Sequence, residues 1–279
     1  MKKLTVFCAA ACLAASAAAQ NHPDLHEVLD RQKGRNLIEI PKGTYTLDVR
    51  SNGPYKFHNL TDVHINGNGS TVICNNQEQA FSFYNCVRVE LRDLTIDYDP
   101  LCFTQGEITA VAEDGSWFDV RIDEGYPVTG LAANRVQFYD PQTRLLKRNS
   151  ITTYTSNYSA LKQLGHNLFR AVKNGTWSAG EQVGDLVVMD VKTDKPNAGV
   201  HTVMLNKCYN TKLENVTVYG SNTFSFFEKE GYANEYRNCV VDRGPMPQGI
   251  RPRLRSGNAD GIHSSQARKG PTVTGCKVG

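Results

Sequence analysis

Asp260 and His263 stand three residues apart in the Gly-rich, polar segment RLRSGNADGIHSSQARKGPTVTGC, residues 253–276. A carboxylate and an imidazole at that spacing are a candidate pair for proton transfer to a bound polar substrate. Arg253, Arg255 and Arg268 flank the pair with fixed positive charge. The same letters also fit a solvated loop in which Asp260 makes an Asx-turn. Upstream, Phe226-Phe227-Glu228-Lys229-Glu230 adds two carboxylates. Glu228 follows apolar aromatic residues whose burial would raise its pKa, as an acid catalyst requires. The plainer reading makes both glutamates solvated turn residues and Arg253 half of a surface ion pair. Phe224, Phe226, Phe227 and Tyr232 are suited to stacking against a ligand ring or to packing a core.

These residues need a scaffold, and the sequence supplies a repeat. Residues 85–96, NCVRVELRDLTI, align with residues 207–218, KCYNTKLENVTV, with Cys, Leu, Thr and an acid or amide in register. Weaker copies occur at residues 63–65, 236–241 and 273–278. A unit of short alternating strands and polar turns, with hardly any helix, indicates a solenoid. Alternation turns Val, Ile, Leu and Cys inward. Asn85, Asn215 and Asn238 are expected to form one amide ladder at the corners. The tight two-residue hairpin turns of a β-sandwich are missing from the repeat. Residues 24–33 read as a short helix capping one end, where strand edges would otherwise stand unpaired.

Between the two strong copies the pattern becomes antiparallel. Residues 107–112 and 117–122 flank a Glu-Asp-Gly turn, and residues 136–139 and 144–147 flank Asp140-Pro141-Gln142-Thr143. The expected fold is therefore all-β, a right-handed parallel β-helix with an inserted antiparallel β-barrel-like module. Its expected organisation is a signal peptide (1–19), an N-terminal cap and first coils (20–105), the module (106–190) and further coils (191–279).

Lys2 and Lys3, the apolar run 4–15 and Ala17-Ala18-Ala19 have the form of a secretory leader. This predicts a bacterial protein exported to the periplasm or beyond. No later run is long and apolar enough to span a membrane. With Lys2 and Lys3 set aside, basic and acidic residues nearly balance, which argues against a nucleic-acid partner. Of 8 cysteines, the six beyond the leader are widely spaced with no CxxC pair, which argues against zinc. Cys86, Cys208 and Cys239 read as small buried residues. Asp93, Asp97 and Asp99 are the nearest approach to a calcium cluster, but they lack EF-hand spacing. No metal or cofactor is expected, and the oligomeric state is open.

Three further passages carry a resemblance. Ile38-Glu39-Ile40-Pro41-Lys42-Gly43-Thr44-Tyr45 resembles the opening of pectate-lyase-like β-helix proteins. Ile96-Asp97-Tyr98-Asp99-Pro100, followed by Thr104-Gln105-Gly106, and then Arg253, Ser256, Ala259, Asp260 and His263, resemble exported β-helix glycoside hydrolases related to the family 110 α-1,3-galactosidases. The resemblance implies inverting hydrolysis of a terminal sugar, α-linked galactose, from an oligosaccharide or polysaccharide. It places a catalytic aspartate at Asp260 and an Asp-Asp pair one coil later, beyond Gly279, so it implies an incomplete chain. Glycoside hydrolysis needs two carboxyl groups. Within this chain Asp260 and Glu228 are the candidate catalytic pair, with Arg253, His263, Ser256 and Glu230 as substrate contacts. A β-helix polysaccharide lyase using Arg251, Arg253, Arg255, Arg268 and Lys269, and a non-catalytic glycan-binding solenoid, remain alternatives.

Overall fold

The computed structural model describes residues 22–191 and 201–279; the expected leader, residues 1–19, lies outside them. The protein is all-β apart from short helices at Leu25–Asp30 and Val49–Asn52 and a 3-10 turn at Thr155–Asn157. Asp24 caps the first helix by accepting from the His26 amide.

Two parallel sheets form the scaffold. The first contains Leu37–Glu39, Thr44–Leu47, His64–Cys74, Glu90–Tyr98, Lys212–Tyr219, Glu235–Arg237, Val240–Asp242, Thr272–Thr274 and Lys277–Val278. The second contains Tyr55–His58, Phe81–Tyr84, Val203–Asn206, Phe226–Lys229 and Ile262–Ser265. The chain alternates between them, so each return adds a neighbour in register. Ile65 pairs with Leu91, Leu91 with Leu213, and Leu213 with Tyr236. In the second sheet, Phe57, Phe83, Leu205, Glu228 and Ser264 form one row. Parallel pairing puts equal positions on equal faces, and alternate residues on opposite ones. The inward rows of both sheets make one apolar core, in which Phe57 and Phe83 stack at 4.8 Å. Each such ring contributes roughly 1.5–3 kcal/mol by leaving water.

The corners are set by backbone geometry. Every strand of the second sheet is followed by a residue near φ +55°: Asn59, Asn85, Lys207, Glu230 and Gln266. Asparagine tolerates this left-handed region better than most side chains. Asn85 donates to the Asn59 side chain at 2.8 Å, and Asn215 donates to Asp93 at 2.8 Å. The single amide ladder expected through Asn85, Asn215 and Asn238 is not formed. Asn85 turns the chain out of the second sheet, whereas Asn215 and Asn238 bend it within the first.

Phe103–Val111, Trp117–Ile122, Leu131–Tyr139, Thr153–Tyr154, Tyr158–Gln163, Leu168–Lys173 and Leu186–Val191 form a separate antiparallel sheet. It curls round its own core, which includes Phe118, Phe138, Val188 and Met189. The segment 251–255 fastens this module to the parallel sheets. Arg253 makes a two-pronged ion pair with Asp97 at 2.8 and 2.9 Å, and Arg255 meets Asp190 at 2.7 Å. Between them, Leu254 enters the module core and its amide donates to Gln105 at 2.8 Å. Gly244 lies so close that a Cβ there would come within 2.7 Å of the Arg253 guanidinium. Burial raises the Asp97 carboxyl above its ordinary value, against the pull of Arg253.

Removing one member of a buried pair leaves the other charge without compensation. Arg253→Ala is therefore expected to cost about 3–5 kcal/mol in urea unfolding. The Arg253→Ala/Asp97→Ala double variant should lose less than the sum of the two singles. Additive losses would mean that the pair contributes no mutual stabilisation.

Candidate functional site

The second sheet has an outward row: Ser82, Met204, Phe227 and His263. Just ahead of its last three strands, His201, Phe224 and Asp260 occupy equivalent positions, each two residues before the matched set Val203, Phe226 and Ile262. The backbone fixes them there: the Thr202 amide donates to the Phe224 carbonyl, and the Ser225 amide to the Asp260 carbonyl. The rings then stack. His201 lies 4.8 Å from Phe224 with the planes 7° apart, and Phe224 lies 4.2 Å from His263 at 1°. Phe227 packs against both histidines.

At the end of this column His263 Nδ1 lies 2.8 Å from Asp260 Oδ2. The Asp260 side chain is 60% exposed and that of His263 37%, so the pair faces solvent. With Nδ1 protonated, His263 donates to Asp260, keeps Nε2 as an acceptor, and leaves Asp260 Oδ1 to accept a proton from water. Burial, and then the charge of His263, hold the His201 imidazole down to about 4. His201 is therefore a neutral ring at neutral pH, and its Nδ1 pairs with the Thr223 hydroxyl at 3.0 Å.

The other expected site residues are not gathered here. Glu228 and Asp260 do not form a pair. Glu228 shares the inward row with Phe83 and Leu205 and is 0% exposed, while its neighbour Phe227 points outward. Its carboxylate accepts from Asn234 Nδ2 at 2.8 Å and from the Ser264 hydroxyl at 3.1 Å. Asn234 also donates to the Cys208 carbonyl and accepts from the Thr211 amide. A Cβ on Gly231 would sit 2.6 Å from the Glu228 carboxyl carbon, so this corner requires glycine. Glu228 thus completes a buried polar corner.

Glu230 lies at the far end of the strand, in the left-handed conformation, with Lys207 at 3.9 Å. It is six residues beyond the position opposite Asp260, about 20 Å along an extended chain. Arg253 is 5% exposed, and both prongs of its guanidinium are engaged by Asp97. The Ser256 hydroxyl donates to the Gly279 carbonyl. His263 alone of the four expected substrate contacts adjoins Asp260. Of the aromatic cluster, Phe226 belongs to the core, whereas Phe224 and Phe227 join the outward column.

His201 was not singled out from the sequence. Its signal was positional: it precedes Val203 as Phe224 precedes Phe226. Among the described residues no group of three or more His, Cys, Asp or Glu side chains is placed to hold a metal. Asp97 is taken by Arg253, and Asp93 by Asn215. The six cysteines among the described residues are free thiols, and Cys86, Cys208 and Cys239 are buried. Among the described residues no helix is long and apolar enough to cross a membrane.

No family model matches the chain, and no curated protein matches it. A solved structure similar to it is the tailspike protein gp49 from Pseudomonas phage LKA1, at 14% identity and a TM-score of 0.25. The match covers 86% of this chain and 36% of that one, so the chain spans little more than a third of that protein's length.

The depressed His201 gives a pH signature. Its folded value of about 4 lies below the ordinary 6.5. The unfolded chain therefore binds the extra proton between those values, and stability present above about pH 6.5 is lost as the pH falls toward 4. Burial and Lys56 depress His58 in the same direction, so the loss is shared. The melting temperature is expected to fall across this window. His201→Phe, which keeps a ring in the column, should flatten the fall. An identical pH profile in the variant would exclude His201 as a contributor.

Proposed function

We propose that this chain is an exported, carbohydrate-active protein built on a right-handed parallel β-helix, and that the face carrying Asp260 binds a glycan and hydrolyses a terminal glycosidic bond. The observation that supports this reading best is the solvent-facing Asp260–His263 pair at the end of a column of stacked rings. The half-buried rings of Phe224 and Phe227 offer an apolar edge to the C–H face of a sugar. Asp260, oriented by His263, is placed to take a proton from the attacking water in an inverting displacement. Terminal α-linked galactose is the substrate that the sequence resemblance favours.

A second reading is favoured by one observation. Inverting hydrolysis also needs an acid for the leaving group. Glu228 is turned into the core, and Glu230 stands at the other end of the strand. Among the described residues Asp260 is the carboxylate at this end of the face, an arrangement that suits glycan binding without cleavage.

Release of galactose from p-nitrophenyl α-galactoside and from galactose-terminated oligosaccharides separates the two. For a hydrolase, Asp260→Asn is expected to lower kcat by about 10²–10⁴ with little change in KM. Glu228→Gln should leave kcat intact, since its carboxylate lies inside the fold. Glycan binding without turnover by the unaltered protein would establish the second reading. Neither binding nor turnover across a broad glycan panel would sink both.

A further inference from the structure

We propose that a cleft in the antiparallel module is a second saccharide-binding site, selective for a neutral sugar. It has a volume of about 350 Å³ and opens between Phe103–Val111, Trp117–Ile122 and the segment carrying Gly249 and Arg251. That volume falls at the lower end of the roughly 300–1,000 Å³ typical of small-ligand sites. The cleft shares none of its lining residues with the Asp260 face, and the inference stands independently of the function proposed there.

The lining alternates donors with acceptors. Arg251 Nη1 lies 3.1 Å from Asp123 Oδ1 and 3.4 Å from Glu107 Oε2, bridging the two carboxylates. Arg121 pairs across the strands with Glu107. Asn167 donates to the Ile122 carbonyl at 3.2 Å and keeps its side-chain oxygen as an acceptor. The arrangement is held from behind. Gln105 donates to Asp123 Oδ2 at 3.0 Å, and the Tyr126 hydroxyl donates to the Arg251 carbonyl at 2.9 Å. Asp123 keeps only 9% of its side chain in contact with solvent.

Vicinal hydroxyls match this pattern, because each donates to a carboxylate while accepting from a guanidinium. Other ligand classes fit less well. Glu107, Asp123 and Glu124 repel an anion, while Arg121 and Arg251 repel a cation. Among the described residues no aromatic ring lines the cleft to stack on a base.

The test is site-resolved NMR on the intact protein, following the Ile122 and Thr109 resonances. The probes are methyl α-galactoside, methyl α-glucoside, glucuronate and glucosamine at millimolar concentration. The neutral glycosides are expected to shift these resonances saturably. Arg251→Met and Glu107→Gln should each weaken that binding about tenfold, as loss of a charge-assisted hydrogen bond does. Asp260→Asn should leave it unchanged, which separates this site from the first. Melting curves of both cleft variants close to that of the unaltered protein exclude unfolding as the cause. The proposal is overturned if no neutral glycoside shifts these resonances, if Arg251→Met binds as well as the unaltered protein, or if glucuronate or glucosamine binds more tightly than either neutral glycoside.

Discussion

In-register parallel pairing is the constraint from which the rest of the molecule follows. Successive returns of the chain place like positions side by side, and each strand alternates faces with a period of two. Leu91, Leu213 and Tyr236 are buried together because they are register mates. His201, Phe224 and Asp260 are brought to one edge of one face for the same reason, although 59 residues separate the first from the last in the chain. The same rule turns Glu228 inward while Phe227 and His263 face out. Chemistry on the surface and chemistry in the core are thus assigned by a single count along the strand.

The second structural requirement is attachment of the module. An antiparallel sheet inserted between two layers of a parallel stack has its own core, and it needs specific contacts to hold an orientation. Arg253 and Arg255 provide them by pairing with Asp97 on the parallel sheet and with Asp190 on the module. Arg255 also lies over the Phe103 ring at 4.8 Å, which partly compensates a guanidinium whose Nε and Nη2 find no acceptor among the described residues. Arg253 and Arg255 thus serve the joint between two cores.

What was legible in the sequence follows the same physics. The Cys, Leu and Thr of the two strong repeats could be aligned because parallel stacking demands like residues at like positions, and those residues are neighbours in the structure. The antiparallel turn around Asp140 was equally readable, since Asp140 accepts from the Thr143 amide within the turn itself. The direction of Glu228 was not readable. Phe226 and Phe227 are both aromatic, so no polar–apolar alternation marks which of them faces the core. The role of Arg253 was hidden by distance along the chain, since its partner lies 156 residues away. The ring column was half visible: Phe224 announced itself by composition, but His201 required the register.

The separation of Asp97 from Arg253 also bears on the order of assembly. Synthesis proceeds at about 5–20 residues per second, so Asp97 waits on the order of ten to thirty seconds for its cation. The whole module and the parallel strands from Val203 to Asp242 are made within that interval, before either arginine can pair with its carboxylate. Closing loops this long carries an entropic cost that local strands do not meet. The joint therefore cannot form until the segment 251–255 has been made, later than the strands of the module it fastens.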